Sequence, residues 1–383
     1  MRYIKIGFIS IFVCFVAAFF VMTINNDREV SSMEKRELQT FPEFSIGKLT
    51  NEDYYTELTA AFSDQLEYRD ALVKGYYTLQ LQGYNGDVVI GKNDELYAAY
   101  QSTDEDAYLD SLRYATEDVN AVAAEVNEAG AEFIFLSIPR KDAVETKNLP
   151  ESYISSEDLY VKSIGVLKET LAENVNLIDA YEVFKEDNSI RYYYTTDHHI
   201  TPRAAYALYH EILEYTTVSD YDIEKYYDID KTIIKGSFND QIGQSIKSKP
   251  EELSMTPNEA IDYIRYENGE ESDLKVFQNS NNYEDCYMEG DHAYTVIDTG
   301  REQLPNIMYV GSSFTNIMEA ISIRDFNLMV SIDYRDNKTG TYLAEYVKKH
   351  DIDYVVYIPS QSNDAFKYWN MIEHLGLLGT ESQ

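Results

Sequence analysis

Two short segments of the chain carry residue types that could do nucleophilic chemistry. Asp197-His198-His199 sets a carboxylate and two imidazoles on successive positions, and these are two of only six histidines. An imidazole can take the proton of a serine hydroxyl, and a carboxylate can hold its tautomer and stabilise the imidazolium. The Asp-x-His spacing favours Asp197 acting with His199. The second segment, Val310-Gly311-Ser312-Ser313-Phe314, offers two hydroxyls behind a glycine. A serine at a strand-to-helix turn sits beside unpaired N–H donors that can stabilise an oxyanion, although such a serine can equally just cap the helix. The triplet also admits a metal site or a local capping network. A metal needs further ligands, and His210, His292, His350 and His374 form no HxH, HxxxH or CxxC pattern with it.

Both segments need a scaffold that places them together. Periodicity predicts helices over 52–62, 68–81, 104–129 and 158–171, the third closed by Gly130 as a C-terminal stop. Apolar runs at 132–138, halted by Pro139, and at 175–178 read as buried strands. Thr201-Pro202 opens a helix to about 215, with Thr as N-cap and Pro at the first helical position. The stretch 216–300 is rich in Asp, Glu, Tyr, Ser and Asn and has no clear period, so it reads as an irregular insertion. Alternation resumes with strand 306–310, helix 315–320, strand 328–332, helix 340–350 and strand 354–358. Such alternation, with strands apolar on both faces, predicts an α/β fold: a mostly parallel sheet covered by helices on both sides. In such a sheet sites form at the carboxyl ends of strands, where both segments fall.

Composition narrows the class. The chain has 383 residues and 67 acidic against 32 basic ones, a net charge of −35, which excludes nucleic acid as a partner. From Ile6 to Ile24 there is no charge, and Arg2 and Lys5 precede this run. A helix of that length spans the ~30 Å bilayer core. The positive flank predicts a single-pass anchor with a cytoplasmic N-terminus and everything after Asn25 exported. A cleaved signal peptide is the rival, but its apolar region is shorter and no small-x-small cleavage site follows. The expected organisation is an anchor over 1–24, a connector over 25–46 and an exported domain over 47–383. The two cysteines, Cys14 and Cys286, are placed for no disulfide, which fits a bacterial cell surface.

The chain resembles the DHHW-family proteins and, more distantly, the alginate O-acetyltransferase group of SGNH-hydrolase-like proteins. The resemblance rests on Lys35-Arg36-Glu37-Leu38 with Phe41-Pro42, Phe62-Ser63-Asp64 with Tyr68-Arg69-Asp70, and Ile138-Pro139-Arg140-Lys141. It continues through Tyr193-Tyr194-Thr195-Thr196-Asp197-His198-His199, Gly311-Ser312-Ser313 and Ile332-Asp333-Tyr334-Arg335. It implies an SGNH-hydrolase-like (flavodoxin-like) α/β fold with a triad of Ser313 as nucleophile, His199 as general base and Asp197 as its orienter; the sequence carries no metal or cofactor motif beside it. It also implies transfer of acetyl groups to hydroxyls of a cell-surface polysaccharide, beside a multi-spanning membrane-bound O-acyltransferase that supplies the acetyl unit. Two positions depart from the pattern: Ile200 stands where the family has Trp, and Ser312 where relatives carry Asp or Thr. Phosphoesterases with a DHH motif are set aside because no histidine precedes His198.

Further candidates for the oxyanion or substrate site are Gly311, Ser312, His198 and Gly290, the last as a backbone donor. Arg335 could bind a carboxylate or acyl group, or form a structural ion pair. Lys141 could line the cleft, or be a solvated surface residue. Two other functions remain open at this stage. The same triad serves a carbohydrate esterase, because water and a sugar hydroxyl differ only as acceptors, and a non-catalytic glycan-binding or scaffold protein could keep the fold.

Overall fold

The computed structural model describes residues 2–31, 36–48, 51–72, 87–99, 104–151, 153–187, 189–218, 227–244, 246–247, 249–257, 260–335 and 343–359. Two compact units divide the chain, 1–86 with 239–247, and 87–238 with 248–383.

In the first unit, helix α1 (Arg2–Ile24) contains the uncharged run, and its large apolar side chains, such as Phe8, Ile11 and Phe15, are exposed. Asn25 caps its end by donating to the Val21 carbonyl. Helix α2 (Glu52–Asp64) begins at Asn51, whose side chain accepts from the Asp53 N–H. Phe62 of α2 meets Phe20 of α1 and Phe41 of the connector, with ring centroids 5.3 and 5.7 Å apart. The buried Gln65 closes the junction: its amide accepts from Arg28 N at 3.0 Å and donates to the Arg28 carbonyl at 2.8 Å. Of the helix expected over 68–81, Tyr68 is a turn residue with φ +58° and 69–72 are helical; the remainder lies outside the described residues.

The second unit is built on one eight-stranded sheet. Its strands are β1 (Glu132–Ser137), β2 (Val175–Asp179), β3 (Ile264–Glu267), β4 (Glu270–Ser272), β5 (Tyr294–Asp298), β6 (Ile307–Gly311), β7 (Leu328–Asp333) and β8 (Tyr354–Tyr357). They lie in the order β4-β3-β5-β7-β6-β8-β1-β2. The five strands from β7 to β2 are parallel, and β5, β3 and β4 extend the sheet antiparallel. The fold is thus the α/β sheet expected, with one difference: three strands come from 216–300, the stretch without a period. These strands carry polar residues, Arg265 and Glu267 among them, and so lack the continuous apolar run of the parallel strands.

Alternating side chains explain why the central strands are apolar throughout. Ile134, Leu136, Ile307 and Tyr309 face helices α5 (Pro202–Leu213) and α6 (Phe314–Ser322). Phe133, Phe135, Met308 and Val310 face α3 (Glu105–Ala129), α4 (Glu157–Thr170) and α7 (Leu343–His350). Both faces are dry, so every position of β6 is buried. The helix ends follow the sequence signals. Asp104 accepts from Ala107 N, Gly130 closes α3 at φ +112°, and Thr201 accepts from Ala204 N ahead of Pro202.

Phe135 is fully buried and meets Tyr357 edge-on at 5.5 Å. Phe135→Ala should therefore cost about 3–5 kcal/mol of stability, read as a lower urea midpoint with the slope unchanged.

Candidate active site

Residues 193–200 form a tight loop between β2 and α5. Tyr193 and Ile200 pair as an antiparallel bridge, and Thr201 N donates to the Tyr192 carbonyl at 2.9 Å. Ile200 is fully buried in the core, so the position that holds Trp in the resembling family packs here as an ordinary aliphatic residue. The bridge leaves Asp197 and His198 at the tip and turns His199 inward.

Ser313 arrives from the other side of the sheet's carboxyl edge. Gly311 ends β6, and a Cβ there would overlap the Thr315 methyl and come 2.9 Å from the Ile358 carbonyl oxygen. Only glycine lets the strand pass this close and break into α6. Ser313 stands at the N-cap of α6, yet its side chain makes no capping bond. Its Oγ lies 2.8 Å from His199 Nε2, and His199 Nδ1 lies 2.7 Å from Asp197 Oδ1. The helix-capping reading of the serine is thereby overturned. The neighbouring Ser312 is buried and uses its carbonyl to accept from Thr315 N and Oγ1 at 2.8 and 2.9 Å. Because α6 starts at Phe314, the N–H donors of its first turn and the positive end of its dipole sit next to Ser313 Oγ.

Asp197 is almost fully buried and accepts three further contacts. His199 N donates to Oδ1 at 2.8 Å, Ser237 N donates to Oδ2 at 2.6 Å, and His198 Nδ1 lies 3.5 Å from Oδ1. Burial alone would raise its pKa, but the two imidazoles and the Ser237 amide hold it well below the usual carboxylate range. It is an anion at neutral pH, as an orienter of imidazole must be. His198 turns the other way, its Nδ1 2.8 Å from Ser237 Oγ; desolvation and the adjacent His199 lower its pKa, so it is neutral. The donor atoms of Asp197, His198 and His199 lie close enough to reach one metal ion. Both ring nitrogens of His199, however, are already committed to Asp197 and Ser313.

The remaining candidates are placed elsewhere. Lys141 is no solvated surface residue. It is buried, and its ammonium donates to the carbonyls of Leu96, Tyr194 and Thr195 at 2.6, 2.5 and 2.9 Å, with Glu95 Oε1 at 3.4 Å. It clamps the loop that carries Asp197. Arg335 is tied to Asp333 by paired contacts of its Nε at 2.9 and 3.1 Å, and to Asp291 at 2.5 Å, which is the structural ion pair. Gly290 has φ +104° and directs its N–H to the Tyr287 carbonyl, lining a polar cavity with His292, Asn316 and Glu319.

Three residues around the site gave no signal in the sequence. Gly236 packs its backbone against Thr196, where any Cβ would overlap the Thr196 carbonyl, and so brings Ser237 N onto Asp197. Glu251 receives both the N–H and the hydroxyl of Thr195 at 2.8 Å. Tyr283 stacks on the His199 ring. All three come from the stretch without a period.

A serine hydrogen-bonded to a buried histidine at the strand-to-helix turn of a mostly parallel sheet is an arrangement found in hydrolase-like α/β domains. Residues 88–226 match the family described as SGNH hydrolase-like domain, acetyltransferase AlgX, a span that holds Asp197 and His199 and ends before Ser313. The fold is accordingly SGNH-like. Among solved structures, the chain is similar to a DHHW family protein from Eubacterium siraeum, with 18% identity over 75% of this chain and 94% of that one and a TM-score of 0.55. It is also similar to Bacillus cereus PatB1 with a sulfonyl adduct, with 17% identity over 74% of this chain and 99% of that one and a TM-score of 0.59. At these identities the likeness is one of fold. No curated protein sequence matches the chain.

Two outcomes follow from the supports of the loop. Gly236→Ala must displace Ser237 N from Asp197, and should lower the rate of 4-nitrophenyl acetate cleavage by at least about tenfold with a modest change in melting temperature; an unchanged rate would contradict the role of that amide. Burial lowers the Lys141 pKa to about 8 from the ordinary 10.5, against the pull of Glu95. Between those values the unfolded chain binds more protons at this site than the folded one, so its contribution to stability rises with pH. The stability of wild type minus that of Lys141→Met should therefore increase by roughly 1–2 kcal/mol from about pH 7.5 to about pH 9.5; a flat difference would contradict it.

Proposed function

We propose that the chain is a membrane-anchored, extracytoplasmic O-acyltransferase that moves acetyl groups onto hydroxyls of a cell-surface polysaccharide through an acyl-Ser313 intermediate. The observation that carries this reading is His199, hydrogen-bonded to Asp197 on one nitrogen and to Ser313 on the other. His199 Nε2 takes the hydroxyl proton as Oγ attacks the acyl carbonyl, whose oxygen becomes an oxyanion beside the first turn of α6. Collapse breaks the bond to the donor's leaving group, which departs with the proton from Nε2. The acceptor hydroxyl then gives its proton to Nε2 as its oxygen attacks the acyl-serine, and collapse returns that proton to Ser313.

The acetyl group is supported by the AlgX acetyltransferase description that matches 88–226, and the polysaccharide acceptor is implied by the resemblance of the sequence. A membrane-bound acyltransferase as acetyl source is implied by the resemblance of the sequence. Anchoring is supported by the first unit. Thr23 in the last turn of α1 is fully buried and accepts from Glu67 N at 3.1 Å, and Phe20 packs on Phe62, so the apolar helix is joined to the chain that follows it. The charge of −35 favours a neutral sugar surface over an anionic polymer as acceptor.

The test is Ser313→Ala in the detergent-solubilised full chain. It should abolish labelling by a sulfonyl fluoride and lower acetyl-ester cleavage and transfer to an oligosaccharide by at least about a thousandfold. Full retention of both would remove Ser313 from the chemistry. If transfer to the oligosaccharide is absent from wild type while cleavage persists, the same residues serve an esterase.

A further inference from the structure

The stretch 216–300 delivers one aromatic ring directly onto the site. Tyr283 opens a one-turn helix, Tyr283–Cys286, and is buried to 1% exposure. Its ring lies parallel to the His199 imidazole, with centroids 3.8 Å apart and planes 9° from each other. Its hydroxyl reaches the backbone carbonyl of Ser313 itself, 3.3 Å away. One side chain thus touches two of the three residues, from a segment that belongs to neither.

The ring also closes the surroundings of the imidazole. His198 lies 3.9 Å from His199, and two rings this close cannot share one face. Phe314 adds a third contact at 5.2 Å. His199 is 1% exposed, so water does not solvate the charge it acquires when it takes the serine proton. Asp197 balances that charge at Nδ1. Above the ring plane, where Asp197 does not reach, Tyr283 presents the electron-rich face of an aromatic ring, which attracts a cation.

We propose that Tyr283 is a positioning residue that stabilises the imidazolium of His199 through its ring face and fixes the imidazole against Ser313 through its hydroxyl. This rests on the reading of Ser313 and His199 as nucleophile and base. A tyrosine that merely filled the core would have no need of a parallel stack on the base together with a bond to the nucleophile's own carbonyl. The hydroxyl keeps its proton, since burial and the nearby Asp197 carboxylate hold its pKa well above the ordinary value, so it acts as a donor.

The face and the hydroxyl separate experimentally. Phe, 3,5-difluorophenylalanine and 3,4,5-trifluorophenylalanine introduced at position 283 in the full chain keep the shape of the ring while progressively withdrawing electron density from its face. Cleavage of 4-nitrophenyl acetate should show kcat falling stepwise along this series, by roughly 3- to 30-fold in total, with KM and melting temperature constant. Tyr283→Phe alone should lose only a few-fold, and Tyr283→Leu should lose about as much as the trifluoro ring. A kcat that stays flat along the series overturns the role of the ring face, because a packing role would not sense fluorination. Ser313→Ala, measured alongside, separates the two levels. If it abolishes cleavage while the series is flat, only the inference about Tyr283 fails. If it leaves cleavage intact, the serine reading fails first.

Discussion

Everything in the second unit turns on one buried imidazole. His199 has bonds at both ring nitrogens and almost no contact with water, and its two partners come from positions 197 and 313. A buried polar ring left short of a partner carries a desolvation penalty of about 1–3 kcal/mol, so such an arrangement exists only where the scaffold fixes both partners. The parallel sheet supplies that fixity. Loop 193–200 and the turn after β6 both emerge at its carboxyl edge, and the strands between them are buried on both faces.

Around this ring the polar groups are held by backbone more than by side chains. Lys141 neutralises three inward carbonyls, Ser237 N completes Asp197, and Gly236 and Gly311 allow two close chain passages. The cost is a buried ammonium, whose pKa burial lowers against the pull of Glu95, and its bonds tie the short strand at Leu96 to the loop. Buried ionic groups of this kind add little net stability, and here the ammonium holds the carbonyls of Tyr194 and Thr195 in the loop that carries Asp197.

Much of this could be read from the sequence, and the reason is physical. The parallel strands are apolar runs, the helices carry strong caps such as Asp104, Gly130 and Thr201, and Asp-x-His with Gly-Ser-Ser is a compact chemical signal. What escaped reading depended on tertiary contact. Lys141 looks like any charged residue near a proline until segments 95–96 and 194–195 fold over it. Tyr283 is one of 35 tyrosines, and nothing local marks the one that stacks on His199. The antiparallel strands β3 to β5 are short and interrupted by polar residues, IRYE, EES and YTVID, so the run of hydrophobicity that reveals β6 is absent there.

The central claim is that Ser313 carries the acyl group in transit. The most direct test is peptide mass spectrometry of the full chain quenched in acid after brief exposure to an activated acetyl ester. The account predicts one acetyl group on the peptide that contains Ser313, present in wild type, removed on incubation with a hydroxyl acceptor, and accumulating more slowly in Asp197→Asn. Acetylation confined to other peptides, or an acetyl group on Ser313 that no acceptor removes, would contradict it.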